Sequence, residues 1–157
     1  MKKKKCQKIR IGIDNREKLR YDFTQFGMEQ EVIKLDYKDY TLLSPPLMDH
    51  VAVERKTLSD FVSCCSGSNR ARFKRELLAL RGFRHNLVII ECSLADIFGS
   101  NYRSKINYAS VLASIMRWNG YGVNFMFGHD RDKSNWLVAK WLELIARDYV
   151  SYGKIEI

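Results

Sequence analysis

Val51-Ala52-Val53 is a short, unbroken apolar run that passes directly into Glu54-Arg55-Lys56. A run of this kind, rich in β-branched residues, reads as a buried strand. Successive side chains on a strand point to opposite faces, so Glu54 and Lys56 share one face and Arg55 takes the other. An ionised Glu at the end of such a strand is costly to bury unless it is paired or metal-bound. The strand end is therefore expected to be a built charged site. Asp39, at the start of a neighbouring apolar segment, supplies a second carboxylate. Two carboxylates and an ammonium suit a divalent cation held against a phosphodiester. The hard ion takes oxygen ligands, while the lysine neutralises charge on the attacked phosphate or positions the water.

The rest of the chain alternates strands and helices. Ile9, Ile11 and Ile13 alternate with polar or small residues, giving a strand that ends at Asp14. Residues 17–26 read as a helix stopped by Gly27, and 31–35 and 39–43 as paired strands before a Ser44-Pro45-Pro46 loop. A strand over 50–55 leads into a short helix starting near Thr57. A second helix over 70–81 carries the apolar stripe Phe73, Leu77 and Leu80. Leu87-Val88-Ile89-Ile90 is a continuous apolar run, as a strand covered on both faces requires. A helix over 104–118, a strand over 123–127 and a helix over 134–149 follow. Strands interleaved with helices predict an α/β sandwich.

At 157 residues the chain fits one domain with a sizeable core. Its 27 Lys and Arg against 18 Asp and Glu leave a net charge of +9, which favours a polyanionic partner, nucleic acid foremost, over a small-molecule substrate. Cys6, Cys64, Cys65 and Cys92 form no Cys-x-x-Cys pair and have no histidine partner at zinc spacing, so free thiols in a reducing compartment are expected. Lys2 to Lys5 are followed by no apolar run and do not read as a secretory signal. No segment approaches the roughly 18 consecutive apolar residues of a membrane span. The expectation is an intracellular, DNA-associated protein with a basic tail over 1–7 and a single domain over 8–157.

Glu54-Arg55-Lys56-x-x-x-Asp60, with Asp39-Tyr40-x-Leu42 upstream and Asp14-x-Arg16-Glu17 before that, resembles the XPF-type (ERCC4-like) structure-specific endonuclease domain. Asp39 with Glu54-x-Lys56 also matches the broader signature of the restriction-endonuclease-like superfamily. The resemblance implies a three-layer α/β sandwich, a central mixed sheet flanked by helices, standing here without the family's helix-hairpin-helix or helicase regions. It implies catalytic roles for Asp39, Glu54, Lys56, Arg55 and Asp60. Mg²⁺, with Mn²⁺ able to substitute, would be bound by Asp14, Asp39 and Glu54, with Arg16 and Glu17 in support. It also implies a branched DNA substrate such as a 3′ flap or fork, and a homodimer, for which the last two long helices offer an apolar surface. Two alternatives keep the same fold: a non-catalytic DNA-binding partner module, and a junction resolvase or sequence-specific nuclease.

The chain departs from the family in two places. Lys38 stands where the family has glycine before Asp-Tyr, and Glu76 stands where Arg72-Phe73-Lys74-Arg75 is usually followed by glutamine. Local chemistry offers other roles for some of these residues. Asp14 and Glu17 suit helix capping. Thr57-Leu58-Ser59-Asp60 has capping-box spacing. Glu91, ending the central strand, reads as a core-edge or capping residue. Arg70, Arg72, Lys74 and Arg75 follow the motif on one helix, where their guanidinium and ammonium groups suit DNA phosphates.

Overall fold

A computed structural model describes residues 8–153. The basic run of Lys2 to Lys5 lies outside them. The element order is β1 (Arg10–Asp14), β2 (Glu29–Ile33), β3 (Tyr40–Leu42), β4 (Val51–Thr57), α1 (Leu58–Cys64), α2 (Gly67–Leu80), β5 (His85–Glu91), α3 (Leu94–Phe98), α4 (Tyr108–Asn119), β6 (Phe125–Phe127) and α5 (Arg131–Ser151). The strands form one sheet in the order β2-β1-β3-β4-β5-β6. β3 runs antiparallel to β1 and β4, while β1–β2, β4–β5 and β5–β6 are parallel, so the sheet is mixed.

Strand alternation divides the core in two. Ile11, Ile13, Tyr40, Val51, Val53, Leu87 and Ile89 point to one face, which α5 covers with Val138, Leu142 and Ile145. Ala52, Val88 and Ile90 point to the other, under Phe61 of α1, Phe73 and Leu77 of α2, and Val111 and Trp118 of α4. The result is the expected three-layer sandwich. α4 and α5 pack on opposite faces, so their outward apolar residues do not share a layer, as the reading of one dimer surface from the last two helices assumed.

Two local expectations are corrected. Residues 17–26 do not form a helix; only a 3₁₀ turn over Thr24–Phe26 is present. Two backbone donors of this stretch go to tertiary partners and others to neighbouring side chains, Leu19 N–H to Glu17 and Thr24 N–H to Asp22, instead of to a helix. Tyr21 N–H donates to the Tyr40 hydroxyl, and Phe23 N–H to Gln30 Oε1. Tyr21 stacks on Tyr40 with ring centroids 5.2 Å apart, and Tyr21 and Phe23 are both buried. Tertiary packing has overridden helix propensity here. β2 and β3 are also not paired, because β1 lies between them, parallel to β2 and antiparallel to β3.

The helix bounds follow their caps. Asn107 caps α4 through Ser110 N–H, which starts that helix later than its apolar pattern suggests. Asp130 caps α5 through Lys133 N–H, which starts it earlier. α3, unforeseen in the sequence, is closed by a complete Ser93–Asp96 capping box. Among the described residues no helix is long and apolar enough to cross a membrane.

Candidate active site

β4 extends to Thr57, so all three charges of Glu54-Arg55-Lys56 belong to the sheet. Glu54 and Lys56 emerge on the α1–α2 side, where Lys56 Nζ lies 2.6 Å from Glu54 Oε1 and 5.2 Å from the centre of the Phe73 ring. Asp39 arrives at the same place from the start of β3. Its backbone N–H donates to Val53 O, and its Oδ2 accepts from Arg55 N–H at 2.7 Å. This clip fixes the Asp39 carboxylate beside Glu54. The two acids form the shared floor of two adjoining depressions of about 510 and 520 Å³. One is bordered by Lys56, Asp60, Cys64 and Arg72, the other by Asp14, Tyr37, Lys38 and Glu76, and Arg16 borders both.

The charges of this floor do not cancel. Burial, then the Glu54 carboxylate beside it, hold the Asp39 pKa well above the usual carboxylate range. Burial also raises Glu54, against the opposing pull of Lys56. Lys56 experiences the reverse. Burial lowers its pKa, but Glu54 and then Glu76 more than offset this and raise it, so the side chain stays an ammonium at neutral pH. Glu76 Oε2 stands 3.7 Å from Lys56 Nζ, and Arg72 Nε 3.7 Å from Glu76 Oε1.

Arg55 occupies the opposite face of the sheet, as strand alternation requires. It forms a two-pronged pair with Glu17 and an ion pair with Glu91 at 3.0 Å. Tyr21 donates its hydroxyl to Glu91 Oε1, and Arg131 stacks over the Tyr21 ring while donating to the carbonyls of Leu19 and Arg20. Glu17 and Arg55 also line the first of the two depressions, with little of either side chain exposed, and their contacts tie residues 17–21 to β4 and α5. Glu91 is a core-edge residue. The strand pattern placed Glu91, but nothing in the sequence pointed to Tyr21 or Arg131.

The remaining sequence-predicted residues divide. Asp14 is buried, and its two oxygens accept from Leu35 N–H and Arg16 Nε. Among the described residues no three His, Cys, Asp or Glu side chains converge as a metal cage, so Asp14, Asp39 and Glu54 are not gathered into one donor set. Asp60 borders the cleft, but its carboxylate accepts from the Thr57 hydroxyl and its N–H donates to Thr57 Oγ1, a helix start and not a partner of Lys56. Arg72 reaches the cleft rim with most of its side chain exposed. Arg70 instead donates to Cys65 O and Ser114 Oγ and covers Trp118, and Lys74 lies over Tyr121. Arg75 is exposed on α2. Lys38 is buried, donates to Met48 O and lies 4.5 Å from the Phe83 ring centre, with its pKa lowered by burial. Its backbone needs no glycine, because the positive φ falls at Tyr37.

The ERCC4 domain model matches residues 13–140, a span that holds the cleft, the sheet from the end of β1 onward and the first part of α5. The chain belongs to the ERCC4 domain family. No protein with a curated description matches it. Among solved structures, this ERCC4 domain is similar to XPF from Aeropyrum pernix, with a TM-score of 0.71 and 22% identity over 92% of this chain and 69% of that one. It is similar also to the same protein in complex with DNA, with a TM-score of 0.70 and 24% identity over 90% of this chain and 66% of the other. The fold is thus that of the XPF nuclease domain.

Proposed function

We propose that this ERCC4 domain is a divalent-metal-dependent DNA endonuclease that hydrolyses a phosphodiester in branched duplexes such as 3′ flaps and forks. The observation that carries the reading is the pair Asp39 and Glu54. These are two half-buried carboxylates side by side on the floor of an open cleft, both with raised pKa and with one lysine between them and a third acid. Family membership and the fold shared with a DNA-bound XPF support the nucleic-acid substrate. The branched geometry rests on the family alone.

The donor set fits Mg²⁺, with Mn²⁺ substituting. Among the described residues only one oxygen of each acid is engaged, Asp39 Oδ2 and Glu54 Oε1. Mg²⁺ is commonly held by one or two carboxylates and completed by water and substrate phosphate. When bound, the ion supplies Lewis acidity and lowers the pKa of its water. The protein's own part follows from the geometry. Asp39 and Glu54 would hold the ion. Lys56, kept protonated, donates to a phosphoryl oxygen and offsets the charge that builds there. Arg72 on the rim takes a neighbouring phosphate. The water oxygen bonds to phosphorus as the bond to the 3′ oxygen breaks; the water gives up one proton to solvent and the departing 3′ oxygen takes one from solvent, leaving a 3′ hydroxyl and a 5′ phosphate.

The test is cleavage of end-labelled 3′ flap, fork, four-way junction and linear duplex in Mg²⁺, Mn²⁺ or EDTA. Wild type is expected to cut flap and fork in either metal and nothing in EDTA. Glu54→Gln and Lys56→Ala are expected to lose cleavage by on the order of 10²-fold or more while still binding DNA. Wild-type rates from both variants would remove the site assignment. Binding without cleavage in either metal would leave a DNA-binding module, and preferred cutting of junction or linear duplex would change the substrate.

A further inference from the structure

We propose that Tyr37 is a stacking platform for an unpaired base at the lip of the carboxylate cleft. The proposal rests on the nuclease reading and adds to it the residue that engages the single-stranded part of the substrate.

Tyr37 has φ +61° and is 67% exposed. A left-handed backbone is uncommon for a bulky side chain and costs free energy. Burying the ring would offset that cost, but the ring is in solvent. Among the described residues no aromatic or cation–π contact engages it. The conformation is imposed from both sides. Leu35 N–H is bound to Asp14 Oδ1, and Leu35 O accepts from Arg16. On the other side Lys38 is anchored on Met48 O, and Asp39 N–H on Val53 O. The chain between these anchors thus presents one aromatic ring outward beside Asp39 and Glu54, on the border of the 520 Å³ depression. Strained residues held this firmly cluster at ligand clamps and active sites.

The chemistry of the surroundings selects the occupant. The cleft suits a phosphodiester, and the chain carries a charge of +9. An exposed ring beside a bound sugar–phosphate strand can stack a base, but only a base whose face is open. In a duplex both faces are covered by neighbouring pairs, so Tyr37 would distinguish an unpaired nucleotide from a paired one. Stacking of this kind tolerates any base, which suits recognition by structure and not by sequence.

The experiment uses the full chain in EDTA, so that no DNA is cut. Two probes are compared: a duplex with both ends closed by hairpins, and the same duplex with a single-stranded 3′ arm carrying 2-aminopurine at the first unpaired positions. Wild type and Tyr37→Phe are expected to bind the armed duplex alike and to quench the 2-aminopurine. Tyr37→Ala and Tyr37→Gly are expected to lose affinity for the armed duplex by on the order of 10- to 100-fold, to lose the quenching, and to bind the closed duplex as wild type does. Tyr37→Gly should hold or raise the urea midpoint, because glycine accepts the positive φ. That result would exclude misfolding as the cause of lost binding. Unchanged affinity in Tyr37→Ala, or equal loss on both probes, would overturn the proposal. If wild type binds neither probe, the DNA-acting reading falls and this inference falls with it. If wild type binds and Tyr37→Ala matches it, only the role of Tyr37 is lost.

Discussion

Arg55 and Glu17 stand 38 positions apart and meet as a two-pronged pair, Nε and Nη2 against the carboxylate oxygens at 3.2 and 3.1 Å. Both side chains are only 8% exposed. Removing one partner of such a pair strands the other charge, and Glu91 offsets this only in part. Glu17→Ala is expected to destabilise the fold by about 3 kcal/mol, read as a lower urea midpoint with an unchanged slope. Arg55→Lys should not restore wild-type stability, because an ammonium cannot reproduce the guanidinium fork. An unchanged midpoint in Glu17→Ala would show that the pair contributes little.

The same pair marks the limit of what the sequence discloses. β4 was legible because Val51-Ala52-Val53 leaves few alternatives, and strand alternation alone put Arg55 opposite Glu54 and Lys56. The helix expected over 17–26 failed because Glu17, Tyr21 and Phe23 bind residues from β2, β3, β4 and β5, which no local pattern encodes. Asp14 has the same residue type as Asp39 and an equivalent place at a strand end. Only the structure shows both Asp14 oxygens taken up by Leu35 and Arg16, while Asp39 engages one oxygen with Arg55 N–H. Likewise Arg70 and Arg72 are two residues apart on α2, and the helix rotation sends one onto Ser114 and the other to the rim.

Glu76 stands between the cleft lysine and the rim arginine, and its carboxylate competes with phosphate for both cations. Glu76→Gln removes that competition while keeping the side chain's shape. Binding to branched DNA in EDTA should tighten several-fold. Arg72→Ala should weaken binding and lower the log–log salt slope by roughly 0.9, the value of one phosphate contact. Affinities measured between 50 and 200 mM salt check both. Weaker binding in Glu76→Gln would show that the carboxylate organises the cations more than it shields them.

Self-association is the family's other implication. On α5, Val138, Leu142 and Ile145 face the sheet, while Trp136 and Leu144 are 53% and 49% exposed on the outer side. Two positions eight apart on one helix face can pair with their copies across a two-fold axis. A dimer is expected by light scattering at micromolar concentration, and Trp136→Glu with Leu144→Glu should return a monomer of about half that mass. A wild-type mass near 18.4 kDa across the range would rule the dimer out.

Asp39 gives a prediction whose sign depends on pH. A carboxyl whose folded pKa lies above its unfolded value binds its proton more tightly when folded. Stability is therefore undiminished below the unfolded value and falls as pH rises through the folded one. Asp39 is such a group, raised by burial and then by Glu54. Asp39→Asn keeps an acceptor for Arg55 N–H and removes the charge. In EDTA near pH 4, where the wild-type carboxyl holds its proton, the variant should melt close to wild type. At pH 8 it should be the more stable by on the order of 1 kcal/mol, although it loses cleavage. Mg²⁺ should narrow the gap at pH 8, because it stabilises the wild-type carboxylate pair by binding the folded state. Thermal denaturation of both proteins at the two pH values, with and without Mg²⁺, decides the matter. A variant less stable than wild type at pH 8 in EDTA would mean that Asp39 is held as a favourable ion and not as a repelled one.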